Sequence, residues 1–311
     1  YMLDQNSTFK RALILNSLLY SQEVNPNYNY NIQASLVEER TIIDNPEDKG
    51  LDFTSNTIIQ NVYTSRYLLG TQHNFTPDEL NTLTAGLDYE WERAKSLFWT
   101  NLLSFMLYPP GDPAFGKPEF YSMDTFRYNL APYLQNCFKW EKRVYFNAGL
   151  RSDYNSSYKK WVINPKLSAA YLFKSSDTKI RAGYGTGFRT PTIEELYYPI
   201  VGDTNLRPAR SQSYEAGLGQ GLFKGWGNIE LVFFRIDFID LIGRDPTTAR
   251  HINIGKAYSQ GLETGLSIYP VKGLRVGANY TLLDTRDLDN KTELPWCPRH
   301  KGNINIGYIF L

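Results

Sequence analysis

Cysteine is scarce in this chain of 311 residues, which contains only Cys137 and Cys297. Two cysteines cannot build a disulfide framework, and they show no metal-ligand spacing with the three histidines His73, His251 and His300. The strand topology deduced below places the two cysteines at opposite ends of the fold, so we expect them not to pair. The sequence therefore predicts a protein that is held together without disulfides or a Cys/His metal centre.

Long apolar runs and an excess of charge are also lacking. No stretch of about 18 apolar residues occurs and the mean hydropathy is −0.42, which excludes a transmembrane helix but not a transmembrane β-barrel, whose strands are only half apolar. Lys and Arg together number 33 against 32 for Asp and Glu, a formal net charge of +1. Because nucleic-acid binding favours a basic surface, this balance argues against a nucleic-acid partner.

Aromatic residues, by contrast, are plentiful. The chain has 23 Tyr, 17 Phe and 6 Trp, together 15% of its residues. In a bilayer such side chains collect in belts at the two membrane interfaces, whereas in a large soluble β-protein they fill the core. Composition alone leaves both interpretations open.

Period-2 alternation of apolar and polar residues runs through most of the chain. We count about thirteen segments of roughly nine to fifteen residues, the length with which a tilted strand crosses a bilayer. In residues 82–92 one face is apolar and the other carries Thr84, Gly86, Asp88 and Glu90. Carboxylates are costly in the core of a sandwich but not in a wet lumen, so the pattern favours a barrel with a polar interior.

Two strands break the pattern. The alternation changes phase at Phe233 and Phe234, which predicts a β-bulge there. Pro165 interrupts the otherwise continuous apolar face of residues 161–173 and removes one donor from the strand ladder.

The connections between the segments alternate in length. Short ones are expected near 21–27, 139–142, 174–177, 223–227 and 270–273, and long ones near 40–52, 93–121, 154–160, 190–210, 239–250 and 284–299. Outer-membrane barrels have short periplasmic turns and longer extracellular loops, so the alternation indicates an antiparallel up-and-down barrel. The connection near 70–81 is long for a periplasmic turn. This arrangement puts Cys137 at the periplasmic rim and Cys297 in an outer loop.

The most informative stretch is RAGYGTGFRTPTIEELYYPIVGDTNLRPARSQSYE, residues 181–215. It begins as a strand with one apolar face and a second face of glycine and arginine only, which suits the wall of a polar interior. Thr190 is then predicted to cap a short helix with Pro191 at its first position and Glu194 and Glu195 in its first turn.

The motifs in this stretch resemble those of the TonB-dependent outer-membrane receptors. The matching elements are GFRTP (187–191), ELYY (195–198), NLRP (205–208) and the strand from Ser211 to Glu215. Further matches follow in the family's order: DFIDLI (237–242), NIGKA (253–257), GLE (261–263), YTLLD (280–284) and PRH (298–300). Residues 1–160 match by strand pattern alone.

This resemblance implies a β-barrel of about 22 strands whose lumen is occluded by a plug domain. It further implies a receptor, integral to the outer membrane of a Gram-negative bacterium, that binds cobalamin or a ferric siderophore outside the cell. Import would use energy delivered by the TonB complex of the inner membrane. No signal peptide precedes the first strand pattern, and the chain ends on a strand at Leu311, so we expect residues 1–311 to be an interior part of such a barrel, with the plug and the C-terminal strands outside it.

Aromatic residues near the outer rim are the candidates for ligand contact. They are Tyr158, Trp161, Tyr197, Tyr198 and Trp296. A partly apolar mouth of this kind suits a bulky ligand, although an interfacial aromatic girdle would use the same residues. Arg181 and Arg189 are predicted to face the plug from the lumen side of their strand.

Three chemical motifs have simpler explanations. The glycines at 183, 185 and 187 lie within a strand and lack the spacing and the βαβ unit of a dinucleotide site. Ser156, Ser157, Ser211 and His300 lack any nucleophile motif. Calcium could bind Asp237, Asp240 and Asp245, or Asp284, Asp287 and Asp289, but these acids match no complete calcium motif and are expected to be solvated loop residues.

Two other functions remain open at this stage. A passive porin-like barrel would lack an upstream plug, and an outer-membrane hydrolase would show activity without ligand import. Both lack the ordered motifs of residues 181–300, so we expect a transport receptor rather than an enzyme.

Overall fold

The computed structural model describes residues 8–45, 58–100, 119–198, 201–245 and 247–310, together with 109, 111–113 and 117. Nearly all of these residues lie in β-strands. The other elements are a helix α1 (Ile193–Tyr197) and one turn of 3₁₀ helix (Phe223–Gly225). Within the described ranges, no helix is long and apolar enough to cross a membrane.

Thirteen strands form one antiparallel sheet in which each strand pairs only with its neighbours in sequence. Their bounds are β1 (Thr8–Asn25), β2 (Tyr28–Asn45), β3 (Ile58–Phe75), β4 (Asn81–Thr100), β5 (Glu119–Trp140), β6 (Val144–Asn155), β7 (Lys160–Phe173), β8 (Thr178–Arg189), β9 (Ala209–Leu222), β10 (Gly227–Arg244), β11 (His251–Ile268), β12 (Leu274–Asp287) and β13 (His300–Tyr308). The predicted number of strands and their up-and-down order are confirmed, and β1 and β13 are the two edges of an open sheet.

Connections at the two ends of the sheet differ in length, as expected. The end with residues 26–27, 76–80, 141–143, 174–177, 223–226 and 269–273 is called the turn end, and the end with residues 46–57, 101–118, 156–159, 190–208, 245–250 and 288–299 is called the loop end. Several predicted connections were too long. The connection predicted near 21–27 is 26–27, and the one predicted near 239–250 is 245–250, because β1 and β10 continue further than expected. β3 continues to Phe75, because the His73 ring stacks between Tyr28 and Tyr30 of β2 and extends the ladder, so the connection near 70–81 shrinks to 76–80. The connection near 154–160 is only a four-residue turn, 156–159, because β6 and β7 pair up to Asn155 and Lys160.

The two faces of the sheet have opposite character. The polar face carries Arg127, Arg151, Arg181 and Arg189, each of which forms an ion pair there. The apolar face carries large exposed side chains such as Leu87, Leu150 and Leu167. The alternation predicted from the sequence is thus realised as a polar and an apolar surface on one sheet.

Aromatic side chains border the apolar face at both ends. Near the loop end, ring contacts join Tyr67 to Trp91 and Trp91 to Phe126. Further contacts join Tyr89 to Tyr128, Tyr128 to Tyr154, Tyr154 to Trp161, and Tyr184 to Tyr214. Near the turn end, contacts join Tyr20, Tyr28, Tyr30 and His73, Tyr171 and Phe173, and Tyr308 and Phe310. The apolar face is therefore a band with an aromatic border on each side.

The β-bulge predicted at Phe233 and Phe234 was wrong. β10 pairs with β9 and β11 in an unbroken register through both residues. The change of phase instead turns Arg235 and Asp237 onto the apolar side of the sheet, where they form an ion pair of 2.7 Å. On the polar side, the Phe234 ring lies over Gly261, where an added Cβ would come within 2.9 Å of it.

Buried apolar residues are few in the described part of the chain, and the connection between β8 and β9 contributes several of them. Among the described residues they are Ala94, Phe98, Ala131, Ile193, Leu196, Leu206, Val232 and Ala257, with Pro208 the largest side chain that is fully buried. Three of these, and Pro208, belong to the connection itself. The nearest approach to a core is thus at the loop end, on the polar face.

Candidate functional site on the polar face

β7 and β8 separate at the loop end, and the gap between them opens a cavity. Their ladder stops at the pair Lys166 and Gly185, although both strands continue beyond it. Pro165 is the next residue of β7, and because it has no backbone N–H it cannot continue the ladder. The cavity has a volume of about 560 Å³ and is bordered by Asn164, Thr186, Gly187 and Arg189 on this side.

Paired charges form the opposite wall of the cavity. Arg127 of β5 lies 2.6 Å from Glu92 of β4, and their side chains are only 14% and 10% exposed. Glu92 also accepts a hydrogen bond of 3.1 Å from Arg66. A buried carboxylate with two guanidinium partners is held in one position. This trio therefore provides a rigid charged surface.

A second cluster surrounds Arg151 on β6. Its guanidinium pairs with Asp88 of β4 and, at 3.1 Å, with the buried Asp153 on its own strand. The Asn129 side chain donates to Asp153 at 3.3 Å, and Arg151 also lies over the Tyr133 ring. Together with the trio of Arg66, Glu92 and Arg127, the cluster ties four neighbouring strands, β3 to β6, across their polar face.

The helix α1 begins beside this cavity, which Thr190 and Thr192 line. Its N-cap is Thr192, whose hydroxyl accepts a 3.0 Å hydrogen bond from the Glu195 backbone, while the Glu195 carboxylate accepts one of 2.7 Å from the Thr192 backbone. The predictions that Thr190 caps the helix and that Pro191 is its first residue were therefore wrong, since the helix begins at Ile193. The reciprocal bonds of a capping box need a Glu three residues after the cap, and Glu195 satisfies this for Thr192. Arg189 fixes the same carboxylate with two hydrogen bonds of 2.8 and 3.0 Å.

The connection 190–208, here called the inner segment, bridges distant strands across the polar face. On one side Arg127 donates to the Pro191 carbonyl, and the Tyr198 ring packs against Phe98 of β4 with centroids 5.6 Å apart. On the other side the His251 backbone of β11 donates to the Val201 carbonyl at 2.7 Å. Since β4 and β11 are seven strands apart in the sheet, the segment must pass over the polar face between them.

Arg207 secures the far end of the inner segment. Its backbone N–H donates to the Asn253 side chain at 2.8 Å, and the Asn253 amide donates back to the Arg207 carbonyl at 2.9 Å. The Arg207 guanidinium pairs with Asp240 of β10 at 2.6 Å. These contacts bring three of the sequence motifs together, since Arg207 belongs to NLRP, Asp240 to DFIDLI and Asn253 to NIGKA.

Two groups of the inner segment have shifted pKa values. Burial acts to raise the pKa of the Glu195 carboxyl, but hydrogen bonds from Arg189 and the Thr192 backbone, with the positive charge of Arg189, outweigh it and lower the pKa. Burial, and next to it the charge of Glu194, raises the pKa of the Tyr198 hydroxyl. The Glu195 carboxylate is thus stabilised in its charged form, in which it accepts the two hydrogen bonds from Arg189.

The five predicted ligand aromatics do not form one surface. Tyr197 and Tyr198 end α1 on the polar face, with Tyr197 40% exposed and Tyr198 half-buried against Phe98. Trp161 packs on Tyr154 at 5.4 Å in the aromatic border of the apolar face. Tyr158 lies in the turn between β6 and β7, and Trp296 stands fully exposed in the connection before β13.

Arg181 and Arg189, the residues predicted to face a plug, both lie on the polar face. Arg181 pairs with Glu230 of β10 at 3.0 Å and lies across Gly217, where an added Cβ would come within 2.8 Å of its Nε. Glu215 lies in the same way across Gly183. Gly183 and Gly217 therefore have a local role, since each leaves room for a long side chain of the neighbouring strand to lie flat.

Five of the six candidate calcium acids have protein partners for their carboxylates. Asp237 pairs with Arg235 and Asp240 with Arg207, and Asp245 accepts from the Thr247 and Thr248 backbones. Asp284 accepts from Tyr258 and Gln260, and Asp287 accepts from the Asp289 and Asn290 backbones. No group of three His, Cys, Asp or Glu residues suited to a metal ion occurs among the residues that the structure describes. Cys137 and Cys297 are both free thiols at opposite ends of the sheet.

Sequence reasoning missed the charged residues that build the cavity, namely Arg66, Glu92, Arg127, Arg151 and Asp153. One signal was present, since Asp88 and Glu90 were recognised as a row of charge on the polar side of β4. Continuing that row by two residues reaches Glu92. Its partners on β3 and β5 follow only from the register, which pairs Arg66 with Glu92 and Glu92 with Arg127.

Comparison with known proteins gives one match along the whole chain. Residues 1–311 match the family model described as TonB dependent receptor-like, beta-barrel. The chain is also 28% identical over 203 residues to the vitamin B12 transporter BtuB of Photobacterium profundum, a match that covers 59% of this chain and 30% of the relative.

Solved structures show the same fold. The copper transporter OprC superposes with a TM-score of 0.75 at 15% identity, over 96% of this chain and 49% of OprC. The ferric yersiniabactin uptake receptor FyuA from Yersinia pestis gives 0.73 at 14% identity, over 97% of this chain and 48% of FyuA. The chain thus spans about a third of the length of the curated relative and about half of each of these two structures.

Proposed function

This chain belongs to the TonB-dependent receptor β-barrel family, and from that premise we propose that it forms part of the barrel wall of an outer-membrane receptor that imports a scarce nutrient. The observation that carries the proposal is the sorting of one sheet into an apolar band with two aromatic borders and a polar face with fixed ion pairs. A membrane barrel needs the first surface toward lipid and the second toward its lumen.

The width of the apolar band supports a membrane-spanning role. On β7, Trp161 of the loop-end border and Tyr171 of the turn-end border are ten positions apart. At about 3.3 Å per residue and a strand tilt near 40°, this separation corresponds to roughly 25 Å along the membrane normal, the height of the apolar band in outer-membrane barrels. We place the loop end outside the cell and the turn end in the periplasm, since the longer connections of such barrels are extracellular.

The edges of the sheet support a larger barrel. β1 and β13 each have an unpaired edge, and a closed barrel removes such edges. We propose that further strands join them to complete a barrel of about 22 strands, and that a plug domain fills the lumen against Arg181, Arg189 and the charged cavity wall. Through that plug, the TonB complex would supply the energy for import.

Cobalamin or a ferric siderophore is the nutrient class that we propose. The three relatives described above are named as a vitamin B12 transporter, a copper transporter and a ferric yersiniabactin receptor, and none of these names denotes an enzyme. We propose that a ligand entering from the loop end meets Tyr197, Tyr198 and the cavity beside α1 on the polar face. Tyr158 and Trp296 stand nearer the rim.

Uptake in cells tests this function. The full-length gene is expressed in a host that lacks its own cobalamin and siderophore receptors, and accumulation of labelled cobalamin and of a panel of ferric siderophores is measured with and without a functional TonB. We expect accumulation of one ligand class that disappears without TonB. Accumulation that persists without TonB would instead support a passive porin, and the absence of any accumulation would contradict the receptor function.

A further inference from the structure

The apolar face of β9 to β12 changes abruptly into a charged surface near the loop end. The strand register places Ala216, Phe233, Leu262 and Leu282 side by side as the last apolar row. The next row, two residues closer to the loop end, is Tyr214, Arg235, Gln260 and Asp284, and the one after it is Gln212, Asp237, Tyr258 and Arg286. In the third row Arg210, Ile239 and Lys256 stand side by side. We call these three rows the outward patch.

The outward patch is polar although it continues the face that we assign to lipid. This is the surface produced by the change of phase in β10, which puts Arg235 and Asp237 where apolar residues would otherwise stand. Tyr214 marks the boundary, because its ring contacts Tyr184 in the aromatic border, with centroids 5.3 Å apart. The patch therefore begins at the level of the membrane interface and rises from it.

Its charges are unbalanced in favour of cations. Arg210, Arg235, Lys256 and Arg286 face Asp237 and Asp284. Asp237 is occupied by Arg235, and Asp284 accepts hydrogen bonds from Tyr258 and Gln260. Lys256 and Arg286 are exposed and take part in none of the ion pairs found in the described part of the chain. Two cations are thus available to an external anion.

A patch of this kind has groups for both halves of a phosphorylated saccharide. Lysine and arginine bind phosphate oxygens, arginine with a two-pronged geometry, while the Tyr258 hydroxyl and the Gln212 and Gln260 amides suit sugar hydroxyls. The Arg235 guanidinium lies 4.7 Å from the centroid of the Tyr258 ring, so these groups hold one another in place.

From this geometry we infer that the outward patch binds the phosphorylated saccharide headgroup of a glycolipid in the outer leaflet. The inference rests on the proposed placement of the loop end outside the cell. A lipid is the occupant because the patch is continuous with the apolar band, so one molecule can place its acyl chains on Phe233, Leu262 and Leu282 and its phosphates beside Lys256 and Arg286.

Binding of a defined glycolipid tests the inference. The full-length protein in detergent micelles is titrated with bis-phosphorylated lipid A, and bound lipid is counted by native mass spectrometry. We expect the double variant K256Q/R286Q to bind on the order of tenfold more weakly. The matched control is K142Q/K272Q, which removes two exposed cations at the turn end and should bind like the wild type.

Two further arms separate the possible ligands. Dephosphorylated lipid A should bind the wild type as weakly as lipid A binds K256Q/R286Q, and inorganic phosphate at matched concentration should not displace the lipid. Equal binding by the wild type and K256Q/R286Q would overturn the inference, as would equal binding of both lipids. Displacement by inorganic phosphate would replace the lipid with a free anion as the ligand.

Measuring nutrient uptake by the same variants distinguishes a failure of this inference from a failure of the proposed function. Uptake that is retained while lipid binding is lost supports the inference and leaves the receptor function intact. Lipid binding in a protein that imports nothing would count against the receptor function alone.

Discussion

Glu215 lies flat across Gly183, with its Cγ atom 2.9 Å from the point where a Cβ of residue 183 would stand. The two residues are directly paired between β8 and β9. A side chain at position 183 would therefore lift Glu215 off the sheet and into the lumen.

Gly183→Ala is expected to lower the free energy of unfolding by about 1 kcal/mol, because the added methyl group displaces Glu215. Urea unfolding of the full-length protein in lipid vesicles measures this. Gly185→Ala is the matched control, since its nearest neighbour would be 3.8 Å away in ordinary contact. Equal stability of the two variants would contradict the steric account, and Glu215→Ala should restore stability to Gly183→Ala.

Arg127→Gln is expected to cost about 2 kcal/mol of unfolding free energy, because it leaves the nearly buried Glu92 with Arg66 as its only cation. The comparison is Arg93→Gln, which removes an ion pair with Asp124. The side chains of that pair are 41% and 47% exposed, so this variant should lose less stability than Arg127→Gln. Urea unfolding of both variants checks the order. A larger loss from Arg93→Gln would show that burial does not set the strength of these pairs.

Thr192→Ala should loosen the inner segment by about 1 kcal/mol, since the Glu195 backbone N–H loses its cap. The readout is limited proteolysis of intact protein in vesicles, with cleavage within 190–208 expected to become several-fold faster. Thr190→Ala, two residues before the cap, is the control and should be cleaved like the wild type. The same rate for both variants would contradict the assignment of the cap.

Acid should release the inner segment. The folded pKa of Glu195 is lower than its unfolded value, so its stabilising contribution is complete above the ordinary glutamate pKa of about 4.3 and is lost as pH falls through the lower folded value. Proteolysis within 190–208 should therefore accelerate below about pH 4. In Glu195→Gln this pH dependence should flatten, with faster cleavage already at neutral pH, and an unchanged profile would show that Glu195 does not control the segment.

Strand number and the sorting of the two faces could be predicted from the sequence, because period-2 alternation is a local property. The ends of the strands could not always be predicted. β3, for example, is extended by the stacking of His73 with Tyr28 and Tyr30, which are 45 and 43 residues away in the chain. The phase change in β10 could be recognised in the sequence, but its structural consequence could not. Arg235 and Asp237 are accommodated on the apolar side because Tyr214, Tyr258 and Asp284 of neighbouring strands lie beside them.

The candidate site was predicted less completely than the fold. The motifs of residues 187–208 correctly pointed to a special segment with a short helix. Its position over the polar face depends on contacts with Phe98, Arg127 and His251, which are 50 or more residues away in the chain. No local pattern encodes such contacts.

Pairing of every strand with its sequence neighbour also bears on how the sheet assembles. Each ladder joins residues that a single turn or loop connects, so the sheet can grow by adding one hairpin at a time, with only a short loop to close at most steps. The tightest nucleus is the pair of β1 and β2, which meet across the two-residue turn 26–27. The inner segment contacts Phe98 of β4 and His251 of β11. If the strands assemble in order along the chain, both contacts can be made only after all eight strands from β4 to β11 have formed.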